Sequence, residues 1–124
     1  WIQNGIDNFK PDDELDQKMT LEEVGQLASD PLFTVGGHSH SHRVMSFLSP
    51  QDLQSEVSAS IQHLKGWTGQ EVDHYSYPEG LAHCYSKEVI TCLKEHGIKC
   101  SPSAIEGSNN IETDLFHLKR IFVV

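Results

Sequence analysis

Apolar residues recur at helical spacing in three places along this chain. Leu21, Val24, Leu27 and Ala28 form one face of a helix that Thr20 can cap, with Glu23 three residues on to close a capping box. Asp30-Pro31 ends it, because the residue before a proline is pushed out of the helical region. Ser49-Pro50 opens a second helix, the serine as cap and the proline where no hydrogen bond is lost. Leu53, Val57, Ile61 and Leu64 are its stripe, and Gly66 is expected to stop it. Ser86 caps a third helix with Val89, Ile90 and Leu93 on one face, ending at His96-Gly97, where glycine suits a left-handed cap.

Short runs with strand character lie between and after the helices. They are Leu32, Phe33, Thr34 and Val35, then 73–78 up to the turn Pro78-Glu79-Gly80, then 98–101, and finally 118–124 beyond a turn-rich loop at 107–110. Residues 1–19 carry Trp1, Ile2, Ile6 and Phe9, then Lys10-Pro11-Asp12-Asp13-Glu14, with too little periodicity for more than a loop. The order helix, strand, helix, strand, helix, strand, loop, strand argues for the α/β class, with mostly parallel strands and outer helices. Too few strands are present for a closed barrel of eight.

At 124 residues the chain is one domain or a piece of a larger one, and its 37% hydrophobic and 22% charged residues are ordinary for a globular protein. No apolar run approaches the roughly 20 residues that span a bilayer, and no signal peptide is visible. The 18 acidic against nine basic side chains, with no basic stripe, argue against nucleic acid as a partner. Cys84, Cys92 and Cys100 are odd in number and in no paired metal or redox spacing, which suits reduced thiols and a cytoplasmic setting.

Candidate chemistry concentrates at Gly36-Gly37-His38-Ser39-His40-Ser41-His42, directly after the first strand run. Strand ends are where α/β folds place their sites, and imidazole is the commonest protein metal ligand. His38 and His42 are therefore candidate ligands, and His40 has the parity to point away. A polar surface loop is the plain alternative. Ser76-Tyr77-Pro78-Glu79-Gly80 also follows a strand run, and its turn could present backbone amides to an oxyanion or simply end the strand. His63, His74, His83, His96 and His117 are read as structural or surface residues.

The glycine-histidine segment, preceded by Met19-Thr20-Leu21-Glu22-Glu23-Val24 and followed by Leu48-Ser49-Pro50, resembles the second motif of polysaccharide deacetylases of the NodB-homology type. The resemblance implies a partial, distorted (β/α) barrel in which His38 and His42 bind a divalent metal, zinc in the first instance, with His40 a non-ligand and Ser39 bracing the loop. Tyr75-Ser76-Tyr77-Pro78-Glu79-Gly80 is similar to the family's third motif. That similarity makes Tyr77 and Pro78 part of the substrate groove and gives the Glu79 amide to the oxyanion. Ser76 stands where many members have an arginine that orients the catalytic base, and Glu79 where they have tyrosine. One branch of the family has a tyrosine-proline version without that arginine.

The implied reaction is metal-dependent hydrolysis of the acetamide of an N-acetylated glycan. The family's first motif, an aspartate pair after the first strand, supplies the base and a third ligand. Asp12-Asp13 follows Lys10-Pro11 rather than an apolar strand and does not match it. The expectation is a single domain over 1–124 that is the C-terminal part of a longer deacetylase and inactive alone, with an exposed sheet edge that a second copy could cover. One alternative is a non-catalytic domain of the same fold that binds glycan or a partner. Another is a hydrolase of the amidohydrolase or polymerase-and-histidinol-phosphatase type, which places H-x-H after its first strand.

Overall fold

The computed structural model describes residues 17–123. The reading of 1–19 as a loop, and Asp12-Asp13 with it, falls almost wholly outside the described residues. Three helices follow in order: α1 (Leu21–Ser29), α2 (Pro50–Thr68) and α3 (Lys87–Glu95). A 3-10 turn at Met45–Phe47 precedes α2, and two strands, β1 (Pro102–Glu106) and β2 (Leu118–Arg120), follow α3.

The helix starts are those expected. Thr20 Oγ accepts from the Glu23 amide at 3.2 Å while the Glu23 carboxylate takes the Thr20 amide at 2.6 Å, the full capping box. Ser49 accepts from the Asp52 amide at 3.1 Å and Ser86 from the Val89 amide at 3.4 Å. The end of α2 differs from expectation. Gly66 is inside the helix, which runs on to Thr68 and stops at Gly69, whose φ of 68° is the left-handed cap. One glycine in a helix interior costs only about 1 kcal/mol against alanine, too little to stop a helix whose apolar face is packed.

Parallel pairing runs across four segments in sequence order. Gly37 bridges Tyr75, His74 bridges Cys100, and β1 pairs with β2 in the register Pro102 to Leu118 and Glu106 to Arg120, with an irregularity between. α2 links the first segment to the second and α3 the second to the third, so this is an arc of parallel segments with helices in the crossovers, the α/β class. The expected strand at 32–35 does not form, pairing on that side being confined to a single bridge at Gly37; the one at 73–78 reduces to bridges at His74 and Tyr75, and the third begins at Pro102 rather than within 98–101. Leu32 is 86% and Phe33 53% exposed, and no described segment pairs with their side of the arc. An apolar run without a ladder partner does not become a strand.

The core lies between the arc and the helices. Leu53, Val57 and Ile61 of α2 and Val89, Ile90 and Leu93 of α3 meet Met45, Tyr75, Tyr77 and Phe116 there. Cys84, Cys92 and Cys100 are free thiols, the first two buried. Among the described residues no helix is long and apolar enough to cross a membrane.

Candidate metal and catalytic site

Two glycines let the first segment approach the second. A Cβ on Gly36 would stand 2.9 Å from the His74 carbonyl oxygen, and one on Gly37 would stand 2.3 Å from a carbon of the Tyr75 ring. Backbone bonds close that approach, Gly37 N–H to His74 O at 2.9 Å and Ser76 N–H to Gly37 O at 2.8 Å. The histidine loop and the tyrosine-proline turn thus leave the arc side by side, both at the C-terminal ends of its segments.

Past Gly37 the loop is held by side chains. Ser39 and His42 take positive φ, 61° and 60°, which side-chain-bearing residues rarely adopt. Ser39 N–H donates to the Tyr75 hydroxyl at 2.8 Å, and Ser39 Oγ accepts from the His42 amide at 2.8 Å. Tyr75 is 2% exposed, and its hydroxyl also pairs with Ser60 Oγ at 2.8 Å, which itself donates to Val57 O. Burial pushes the Tyr75 pKa up to about 12 against the lowering effect of those bonds, so the phenol stays protonated. Glu56, 8% exposed on α2, accepts from the His40 amide at 3.0 Å, the Ser41 amide at 2.9 Å and the Ser41 hydroxyl at 2.5 Å.

His38 and His42 come together, with ring centroids 4.9 Å apart at 65°. His38 Nδ1 lies 2.9 Å from Ser76 O and 2.8 Å from Ser76 Oγ. A carbonyl only accepts, so Nδ1 carries the hydrogen and Nε2 keeps its lone pair. Burial lowers the His38 pKa most. The bond to Ser76 opposes this, the charges of His42 and Arg120 add to the lowering, and Glu79 opposes it. The imidazole is therefore favoured in its neutral, ligating form. His40 turns away, its ring 5.0 Å from His63, which stacks on Trp67 at 5.5 Å.

The centroid separation of these two imidazoles is compatible with two positions of a tetrahedral ion. At a zinc to nitrogen distance of about 2.0 Å, ring centroids lie roughly 3.2 Å from the metal, and two such rings about 109° apart have centroids roughly 5 Å from each other. No group of three or more His, Cys, Asp or Glu suited to a metal occurs among the described residues. A third protein donor is not in this set.

In the tyrosine-proline turn, Glu79 and Gly80 both have positive φ, 61° and 68°, and a Cβ on Gly80 would stand 2.6 Å from the Ala104 nitrogen. Glu79 is exposed, and its amide makes no hydrogen bond among the described residues. Tyr77 and Pro78 are buried. The Tyr77 hydroxyl donates to Phe116 O at 2.9 Å and its ring stacks on Tyr85 at 4.1 Å, so Tyr77 backs the turn rather than offering its hydroxyl to solvent. Of the other histidines, His63, His74, His83 and His117 are exposed, and His96 caps α3 with Nδ1 2.8 Å from Cys92 O. Sequence reasoning passed over Glu56, Ser60 and the Tyr75 hydroxyl. The available signal was an acid and a serine set into the apolar stripe of α2, at helical spacing with Leu53 and Val57.

A family profile described as polysaccharide deacetylase matches residues 8–101, and the chain belongs to that family. No curated protein sequence matches it. Among solved structures, the deacetylase domain of BpsB from Bordetella bronchiseptica is similar at a TM-score of 0.76 and 16% identity, over 86% of this chain and 49% of that one. The Streptococcus pyogenes deacetylase PplD, solved with acetate, gives 0.64 and 22%, over 70% and 37%. A CE4 family pseudoenzyme from Bacillus anthracis gives 0.57 and 20%, over 65% and 27%. At such identities the likeness is one of fold, and the chain spans about a quarter to a half of the length of these structures. The arc of parallel segments is thus part of the deacetylase barrel.

Proposed function

We propose that the chain carries the metal-binding half of a carbohydrate N-deacetylase domain, with His38 and His42 as two ligands of a divalent ion, zinc in the first instance, and an N-acetylated glycan as substrate. The supporting observation is the His38 ring, fixed by Ser76 with Nε2 unprotonated and His42 beside it. A divalent ion bound there supplies Lewis acidity toward the acetyl carbonyl. Ser76 keeps His38 in the ligating tautomer, Ser39 and Tyr75 hold the backbone that carries both rings, and the Glu79 amide would donate to the developing oxyanion. Tyr77 and Pro78 shape the adjoining wall.

A catalytic zinc normally has three protein ligands, and a general base contributes about 10² to 10⁴ in rate. With neither the third ligand nor a base among the described residues, the 124-residue chain is expected to bind zinc weakly and to leave an N-acetylglucosamine oligomer intact. The test is zinc titration followed by imidazole NMR, with acetate release measured in parallel. His38 and His42 signals should move together, and His38→Ala should abolish the response. Acetate release by this chain that disappears in His38→Ala would show that it supplies its own base. A second reading is a glycan- or partner-binding domain without catalysis, and the likeness in fold to a CE4 family pseudoenzyme supports it. Acetate release by a chain extended upstream to an aspartate pair decides between the two.

A further inference from the structure

Glu56 is a buried carboxylate with no ion pair among the described residues. Its charge is answered by two amides and a hydroxyl, all from the histidine loop. Burial works to raise its pKa, yet the bonds from Ser41 and His40 outweigh it and hold the group below the usual range, so it is ionised and accepting. Each of the four amides from Ser39 to His42 has a side-chain acceptor: the Tyr75 hydroxyl for Ser39, Glu56 for His40 and Ser41, and Ser39 Oγ for His42.

We propose that Glu56 is a positioning residue that selects the first and third histidines of the loop as the ligand pair and turns the second away. The loop alternates histidine and serine, so pairs that include His40, two residues from each neighbour, compete with the pair His38 and His42, and parity alone does not hold His40 out. Two non-glycine residues at positive φ cost about 1–2 kcal/mol each, and such a conformation persists only where its surroundings hold it. Anchoring the His40 and Ser41 amides on α2 draws the middle of the loop onto the helix, where the His40 ring meets His63, and leaves His38 and His42 facing each other. This inference rests on the metal reading for its consequence but not for its geometry.

The test compares the whole chain with Glu56→Ala, Glu56→Gln and Val57→Ala by amide hydrogen exchange and zinc-titrated imidazole NMR. Val57 is fully buried on the same helix, so its truncation lowers global stability while leaving the Glu56 carboxylate in place. Glu56→Ala should speed exchange of the His40 and Ser41 amides at least tenfold beyond the Val57→Ala control. It should also weaken zinc binding at least tenfold and bring the His40 ring into the response. Glu56→Gln keeps one oxygen for both amides and can donate to Ser41, so it should fall between alanine and the parent. If Glu56→Ala stays within twofold of Val57→Ala in both amide exchange and zinc response, Glu56 is merely part of the packing and the proposal is overturned. If zinc moves no imidazole in the parent chain, the metal reading fails and amide exchange alone decides for or against the anchor.

Discussion

Gly37 is a position where a single methyl group should do damage, and Gly66 one where it should help. A Cβ at Gly37 would lie 2.3 and 2.4 Å from two carbons of the Tyr75 ring, more than 1 Å inside the roughly 3.5–4.0 Å of ordinary carbon contact. The ring cannot simply swing away, since it is 2% exposed and its hydroxyl is bonded to Ser39 and Ser60. Overpacking of this kind costs about 1–3 kcal/mol, and loosening the Ser39 bond adds about 1 kcal/mol, so Gly37→Ala should destabilise by roughly 2–4 kcal/mol. At roughly 4 °C per kcal/mol for a domain of this size, the melting temperature should fall by roughly 8–16 °C. Gly66 has nothing within 4 Å of a built Cβ and lies inside α2, so Gly66→Ala should raise stability by about 0.5–1 kcal/mol. Thermal and urea unfolding followed by far-ultraviolet circular dichroism measures both. Equal stability of Gly37→Ala and the parent, or a loss in Gly66→Ala, would refute the close-approach reasoning.

Tyr75→Phe removes the acceptor of the half-buried Ser39 amide and should cost about 1–3 kcal/mol in urea unfolding; a change under 0.3 kcal/mol would mean that the hydroxyl does not brace the loop. Hydrogen bonding holds several carboxyls below their ordinary range: Glu23 through Thr20, Asp73 through Lys99 and Asp114 through the Phe116 amide. Their folded pKa values lie below the unfolded ones, so their contribution is complete above roughly pH 5 and fades as pH falls through about 4 and lower. The urea midpoint should drop between pH 5 and 3, and a flat profile would contradict it. Leu32 and Phe33 stand exposed beside the outermost paired segment. If a second copy pairs there, sedimentation should depend on concentration and Phe33→Lys should abolish that dependence; a monomer at every concentration overturns the pairing.

The helices were legible because their signals are local. A capping serine or threonine, the proline at the first helical position and the apolar stripe each act within a few residues, and all three starts fall where these place them. The end of α2 was misplaced because two glycines compete, and only backbone geometry shows that Gly69, not Gly66, takes the left-handed turn. Strands were less legible, since a strand exists only with a partner. The run 32–35 has the composition without the ladder. β1 hides its inward positions behind serine, with Ser103 buried and its hydroxyl bonded to Leu118 O at 2.9 Å. At the site, histidine spacing and the parity of His40 could be read directly. The groups that shape the loop come from α2 and the second segment, which no local pattern joins to it.

That arrangement has a consequence for the order of folding. The contacts that define the histidine loop span 38 residues to Ser76, 36 to Tyr75 and 15 to 16 to Glu56, while the Ser39 to His42 bond and the His38 to His42 ring contact are local. Loop-closure entropy must be met before such distant contacts form, so the loop takes shape only after α2 has docked and the second segment has paired. A synthetic peptide of residues 34–43 should therefore be no miniature of the site. Its three histidines would chelate interchangeably, and the distinction between ligand and bystander would arise only with the surrounding chain.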